Sequence, residues 1–150
     1  MARVDYYEIE NEIKEILSAD STLDGVAITV EDEIIFGGVD QMPWVGIYLD
    51  RRDAPADLQH ISAGTETRFQ LSLSILCVCF NMEAISAAIR ARDDLLGKVE
   101  VALMRNRSLN GKVHTLWLNG GDMPSGTAPG ETGFLSIGEI QVVADVTAST

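Results

Sequence analysis

Between Glu66 and Phe80, apolar and polar residues alternate in the way that predicts a long strand. Phe69, Leu71, Leu73, Ile75, Cys77 and Cys79 share one face, because successive side chains of a strand point to opposite sides. The other face begins polar, with Glu66, Arg68, Gln70, Ser72 and Ser74. It ends apolar, with Leu76, Val78 and Phe80. One face is therefore core throughout, and the second needs cover only at its far end, from a neighbouring element or another subunit. A long helix follows with almost no loop. Asn81 suits its N-cap, since its side-chain oxygen can accept from an otherwise unpaired amide. Ile85, Ala88, Ile89, Leu95, Leu96, Val99 and Leu103 recur at spacings of three and four, which is one stripe of a helix. Arg90, Arg92, Asp93, Asp94, Lys98 and Glu100 fall mostly off that stripe. Gly97 predicts a bend or two abutting helices, and Asn110-Gly111 predicts the closing turn.

The flanking segments supply smaller elements. Asp5 with Glu8 resembles a capping box, and Tyr6, Ile9, Ile13, Ile16 and Leu17 form a helical stripe that should end near Ser18. Glu8, Glu10, Glu12, Lys14 and Glu15 lie outside it. Residues 26–30 predict a short strand, 33–36 a second one returning from it, and 44–49 a stronger strand after Pro43. Residues 50–64 lack a period and predict a loop or extended arm, so the strands on either side of it would pair antiparallel. Residues 112–118 predict another strand. Residues 119–133, with five Gly and two Pro, predict an irregular loop, and Phe134–Thr147 a closing strand. The sum is one α+β domain spanning 1–150: a mostly antiparallel sheet of about four to five strands with two helices packed on one face.

Composition narrows the function classes. Apolar residues make up 46% of the chain, enough for a real core, and no run reaches the roughly 18 apolar residues of a membrane helix. The start, Met-Ala-Arg-Val-Asp, lacks an apolar signal region, so synthesis in a cytosol is expected. The net charge of -12 argues against ordinary nucleic-acid binding, which needs cationic contacts to phosphate. The same charge suits simple solubility, a surface that repels DNA, or one that meets a basic partner.

Reactive chemistry is sparse. Cys77 and Cys79, two apart on one strand face, read as reduced core thiols. With only His60 and His114 beside them, no structural zinc set forms, and no metal or cofactor is expected. The glycines of 119–133 are not followed by Lys-Ser/Thr or a helix start, so no phosphate loop is present. His114 shares a strand face with Leu116 and Leu118 and is expected to be a buried or half-buried structural residue. An enzyme would need a pocket gathering His114 or His60 with carboxylates; the expectation is that the chain is not one.

The succession of an amphipathic helix Asp5–Leu17, the Asp20–Gly25 turn, the Trp44–Leu49 strand, a loop, a long strand feeding the helix that contains Asp94–Leu103, and the closing Gly138–Val146 strand resembles the tail terminator proteins of long-tailed bacteriophages and the related minor tail and neck proteins. The resemblance implies a virion protein made in the bacterial host. It would form a homo-oligomeric, hexameric ring that caps the tail tube protein, ends tube growth and offers a docking face to the head–tail connector, DNA passing through its lumen without specific binding. The alternative within virion proteins is a neck or head-closure protein on the portal side. No residue motif of the family carries over. Interface residues are instead expected on grounds of exposure: Arg51, Arg52, Asp53 and His60 in one loop, Asp122 and Met123 in the other, and the edge aromatics Trp44 and Tyr48.

Overall fold

Strict alternation gives the central strand β3 (Glu66–Asn81), and its core face is sealed: Leu71, Leu73, Ile75 and Cys77 are fully buried and Cys79 nearly so. The computed structural model of the chain describes residues 4–31, 42–54, 66–127 and 133–149. The expected return strand at 33–36 lies outside these residues. The closing strand β6 (Phe134–Ser149) runs antiparallel to β3 over its full length, from Asn81↔Phe134 to Glu66↔Ser149, with no break in register. Because the period of a strand is two, that register places Ile140, Val142, Ala144 and Val146 on the core face opposite Ile75, Leu73, Leu71 and Phe69.

Strand β2 (Trp44–Asp53) pairs antiparallel with the other side of β3, as the pattern predicts for the two strands flanking the arm. Beyond β2 lies β1 (Ala27–Val30), which pairs parallel to it. On the far side of β6 lie β4 (Thr115–Asn119) and β5 (Ser125–Thr127), both antiparallel to it. The result is a six-stranded mixed sheet, mostly antiparallel, of order β1-β2-β3-β6-β4 with β5 also on β6; the strand count is slightly above expectation.

Both helices lie on the core face. Helix α1 (Tyr6–Ala19) starts at its expected cap, Asp5 accepting from the Glu8 amide at 3.1 Å, and drops Ile9, Ile13 and Leu17 over β1 and β2. Helix α2 (Ile85–Met104) covers β3 and β6 with Leu95, Val99, Ala102 and Leu103. It runs without interruption through Gly97, so the segment is one helix and not two abutting ones. Its start also differs from expectation. Asn81 is the last residue of β3, and its Oδ1 accepts from the amides of Glu83 and Ala84 at 2.8 and 3.0 Å, which folds the turn into the helix. Ala84 is the N-cap and contributes no side-chain bond.

The first half of the Gly/Pro segment is not irregular. Between Asn119↔Gln141 and Ser125↔Ser136 the edge advances six residues against five on β6, a one-residue bulge. Within that stretch the amides of Gln141, Glu139 and Ile137 donate to the carbonyls of Gly120, Asp122 and Pro124 at 3.3, 2.9 and 2.8 Å. Pairing through carbonyls alone tolerates Pro124, which has no N–H to give. Gly121 is required by contact, since a Cβ there would run into the backbone carbonyl of Glu139. Gly121→Ala should therefore lift the edge off β6 and cost about 1–3 kcal/mol, read as a lower urea midpoint; an unchanged midpoint would mean that the edge is not held this closely.

Candidate functional site

The face of the sheet opposite the helices is a candidate contact surface, and its residues follow from the registers. Reading across β2, β3 and β6, the rows are Trp44–Val78–Ile137, Gly46–Leu76–Glu139 and Tyr48–Ser74–Gln141; below them Ser72 sits between Arg51 and Val143, and Val143 pairs with Trp117 of β4. Along β3 this face runs from apolar Val78 and Leu76 to polar Ser74 and Ser72, the division legible in the sequence, while on β6 the polar Glu139 and Gln141 lie between the apolar Ile137 and Val143. Leu76, Phe80, Leu135, Ile137, Val143 and Trp117 are each only partly buried, and among the described residues both helices lie on the other side.

The polar strip below is tied internally. Gln141 Nε2 donates to Ser74 Oγ at 3.0 Å and to Glu139 Oε1 at 2.7 Å, and the Ser74 hydroxyl donates to Asp50. Trp44 and Tyr48 do not project as loose anchors. Their rings lie over Gly46, where a Cβ would be 2.6 Å from Tyr48 Oη and 2.7 Å from the Trp44 ring. Trp44 is 5% exposed, and its indole N–H donates to Thr29 Oγ1 at 2.9 Å, tying β2 to β1. The Trp-x-Gly-x-Tyr spacing carried that signal, since it sets two aromatics either side of a glycine on one face.

Arg51, Arg52 and Asp53 belong to strand β2 and not to the expected loop. A bulge between Leu49 and Arg51 shifts the parity of β2. Arg51 is therefore exposed on the open face, paired with Asp53 at 2.6 Å, while Arg52 turns to the helix side. There its guanidinium stacks over Phe69 at 4.8 Å and Tyr6 at 5.6 Å and donates to Tyr6 Oη at 2.8 Å. It closes the end of the core. Asp122 and Met123 are exposed on the paired edge segment, and His60 lies outside the described residues. His114 is exposed, not buried as expected: it precedes β4, and its Nε2 meets Thr147 Oγ1 at 2.6 Å.

Two buried charged groups escaped the sequence reading. Arg92 is absent from the stripe that the apolar residues define, yet it is 7% exposed, because Ala88, Arg92, Leu95 and Val99 are themselves spaced four, three and four apart. Its Nη1 donates to the carbonyl of Met123 at 3.2 Å and sits 3.5 Å from that of Ile137, and Asp93 balances the charge at 2.9 Å. Arg92 thus fastens the edge segment to β6 and α2. The second group is Glu10, 3% exposed, on the same stripe as Ile13 and Leu17. Burial first, then a hydrogen bond to Glu31 and repulsion from its charge, push the Glu10 carboxyl up to about 8. Glu31 is held below its usual value by that same hydrogen bond from Glu10 and by the Leu49 amide, which donates to its Oε1 at 2.9 Å. Glu10 is the acid of the pair and Glu31 the carboxylate.

Among the described residues, no group of three or more His, Cys, Asp or Glu side chains converges as a metal site would require. Burial raises both thiols, Cys77 to about 12 and Cys79 to about 11, so neither is a thiolate at neutral pH. No family model matches this chain, and a search of curated proteins returns no significant match.

The Glu10 proton makes stability pH-dependent. Between its ordinary value of 4.5 and about 8 the folded chain holds a proton that the unfolded chain has released, so this group's contribution falls as pH rises and is flat above 8. Glu31 acts in the opposite sense at the acid end, where its stabilising contribution is lost as pH falls through its lowered value. Glu10→Gln should remove the decline from pH 5 to 8 and gain ~1–3 kcal/mol at pH 8. Thermal unfolding across that range measures it; parallel curves for variant and parent would contradict the assignment.

Proposed function

We propose that this chain is a structural subunit that closes with identical copies into a ring. The ring is of the kind that caps a phage tail tube, ends its polymerisation and offers a docking face to the head connector. The observation carrying the reading is the open sheet face. There Leu76 and Ile137 above the Ser74–Gln141 polar strip, and Val143 and Trp117 below it, are apolar and only half-buried. Apolar patches of this kind are what a neighbouring subunit would cover, and a closed ring needs such a patch to meet a different patch on the next copy. The net charge of -12 fits a lumen along which DNA slides without sticking. The sequence resemblance to tail terminator proteins points the same way. In this reading the protein does no chemistry of its own and acts in the virion.

Light scattering on the purified protein should give a mass six times the 16.3 kDa protomer, and tail tubes should bind it in preference to DNA-filled heads. Val143→Glu should return the mass to that of one protomer while leaving the fold intact, because Val143 is only half-buried. Arg51→Glu should weaken the ring, since Arg51 sits exposed at the foot of the same face. A protomer mass at every concentration for the parent would end the proposal. Unchanged assembly of both variants would move the contact off this face. Preference for heads over tubes would make the protein a neck component.

A further inference from the structure

On the opposite side of the molecule, three clefts join into one furrow between α2 and the α1 end with its following turn. The first, of about 350 Å³, and the third, of about 450 Å³, share Thr22, Asp94 and Lys98. The third and the second, of about 670 Å³, share Asp20 and Arg105. The furrow follows α2 from Ala91 to its end at Met104, which at 1.5 Å per residue is roughly 20 Å, and continues to Arg105 and Asn106 just beyond it. Ile16 and Ala19 of α1 and Val101 and Ala102 of α2 supply apolar lining, and Val101 is 46% exposed.

Two features mark this furrow as a docking surface. The first is charge. Among the described residues Glu12, Glu15, Asp20, Asp24, Asp93 and Asp94 line it with Lys98 and Arg105; Asp94 is paired with Lys98 at 2.8 Å and Asp93 with Arg92 at 2.9 Å, which leaves Glu12, Glu15, Asp20 and Asp24 against Arg105. The second is Gly97. A glycine inside a helix weakens it, and this one makes no close approach that would explain it, since a Cβ there would meet nothing within 4 Å. What the missing side chain does leave is open space in the furrow wall.

We infer that this furrow binds a lysine- or arginine-rich amphipathic segment of a different protein. Its apolar residues would settle on Val101, Ile16 and Ala19 and its cations between the carboxylates. A second copy of this chain is the wrong occupant, because it has no lysine- or arginine-rich segment to offer: its longest run of cationic residues is Arg51-Arg52. Nucleic acid is excluded by sign. The inference stands apart from the ring proposal, which uses the other face of the sheet; the furrow reaches that face only at Phe80, at the end of its first cleft.

The test is fluorescence anisotropy of the full chain with a labelled Lys/Leu peptide of about 15 residues patterned as an amphipathic helix. An oligolysine of equal charge is the comparison. The parent should bind the amphipathic peptide at least about tenfold more tightly than the oligolysine, with affinity falling as salt rises. Gly97→Gln should fill the furrow and weaken binding by at least about tenfold, with an unchanged or higher Tm, because glutamine favours helix over glycine. Asp24→Asn with Asp94→Asn should weaken it similarly, and Glu83→Gln with Asp122→Asn, outside the furrow, should not. Amide shifts at Gly97, Val101 and Ala102 on adding the peptide locate the site independently of any variant. No binding, equal binding of oligolysine, equal loss in the outside pair, or shifts confined to other residues would each overturn the inference.

Discussion

The unbroken antiparallel pairing of β3 with β6 is the constraint on which the other elements depend. Sixteen residues on each strand meet in one register, so a single parity decides which side of the sheet is dry. A slip of one residue would turn Leu71, Leu73 and Ile75 toward solvent and set Ser72 and Ser74 beneath α2. The burial of those leucines, each worth about 1.5–3 kcal/mol, is what opposes the slip. Both helices then attach to the side this pair makes apolar, and β2, β4 and β5 extend its two edges.

Within that frame, the polar groups that enter the core act as fasteners. Arg92 leaves the solvent to hold carbonyls of the edge segment and of β6, with Asp93 as its counter-ion. Glu10 stays inside by keeping its proton and donating a hydrogen bond through it to Glu31, whose own carboxylate accepts from β2. Arg52 seals the open end by stacking on Phe69 and Tyr6. Each compensates a buried or half-buried polar group with a named partner, which is the condition under which such burial is tolerated.

The parts of this arrangement that were legible in the sequence are those that alternation encodes. The core face of β3, the inward residues of β6, the Asp5 cap and the two-helix cover all follow from periods of two and three to four. The rest depends on facts that a period does not carry. Direction is one: residues 26–30 read equally well as a parallel or an antiparallel neighbour. A bulge is another, because the extra residue after Leu49 reverses the parity of Arg51 and Arg52 without leaving a mark in composition. The edge segment Gly120–Pro124 pairs through backbone carbonyls, so its Gly and Pro read as a loop. Arg92 and Glu10 occupy stripe positions, but counting only apolar residues passes over them. Of the candidate contact residues, Arg51, Asp122 and Met123 are exposed, while Trp44 is folded into the sheet.

The two surfaces left after folding differ in kind. One is a flat face, half apolar, suited to a repeated neighbour; the other is an acidic furrow suited to a cationic one. The central claim is that the flat face is where copies of this chain meet. Hydroxyl-radical footprinting at rising protein concentration tests it most directly, comparing Trp117 on that face with Met104, 51% exposed on α2. The account predicts that Trp117 becomes protected as the chain assembles while Met104 keeps its reactivity. Equal reactivity of Trp117 in the dilute and assembled states would contradict it.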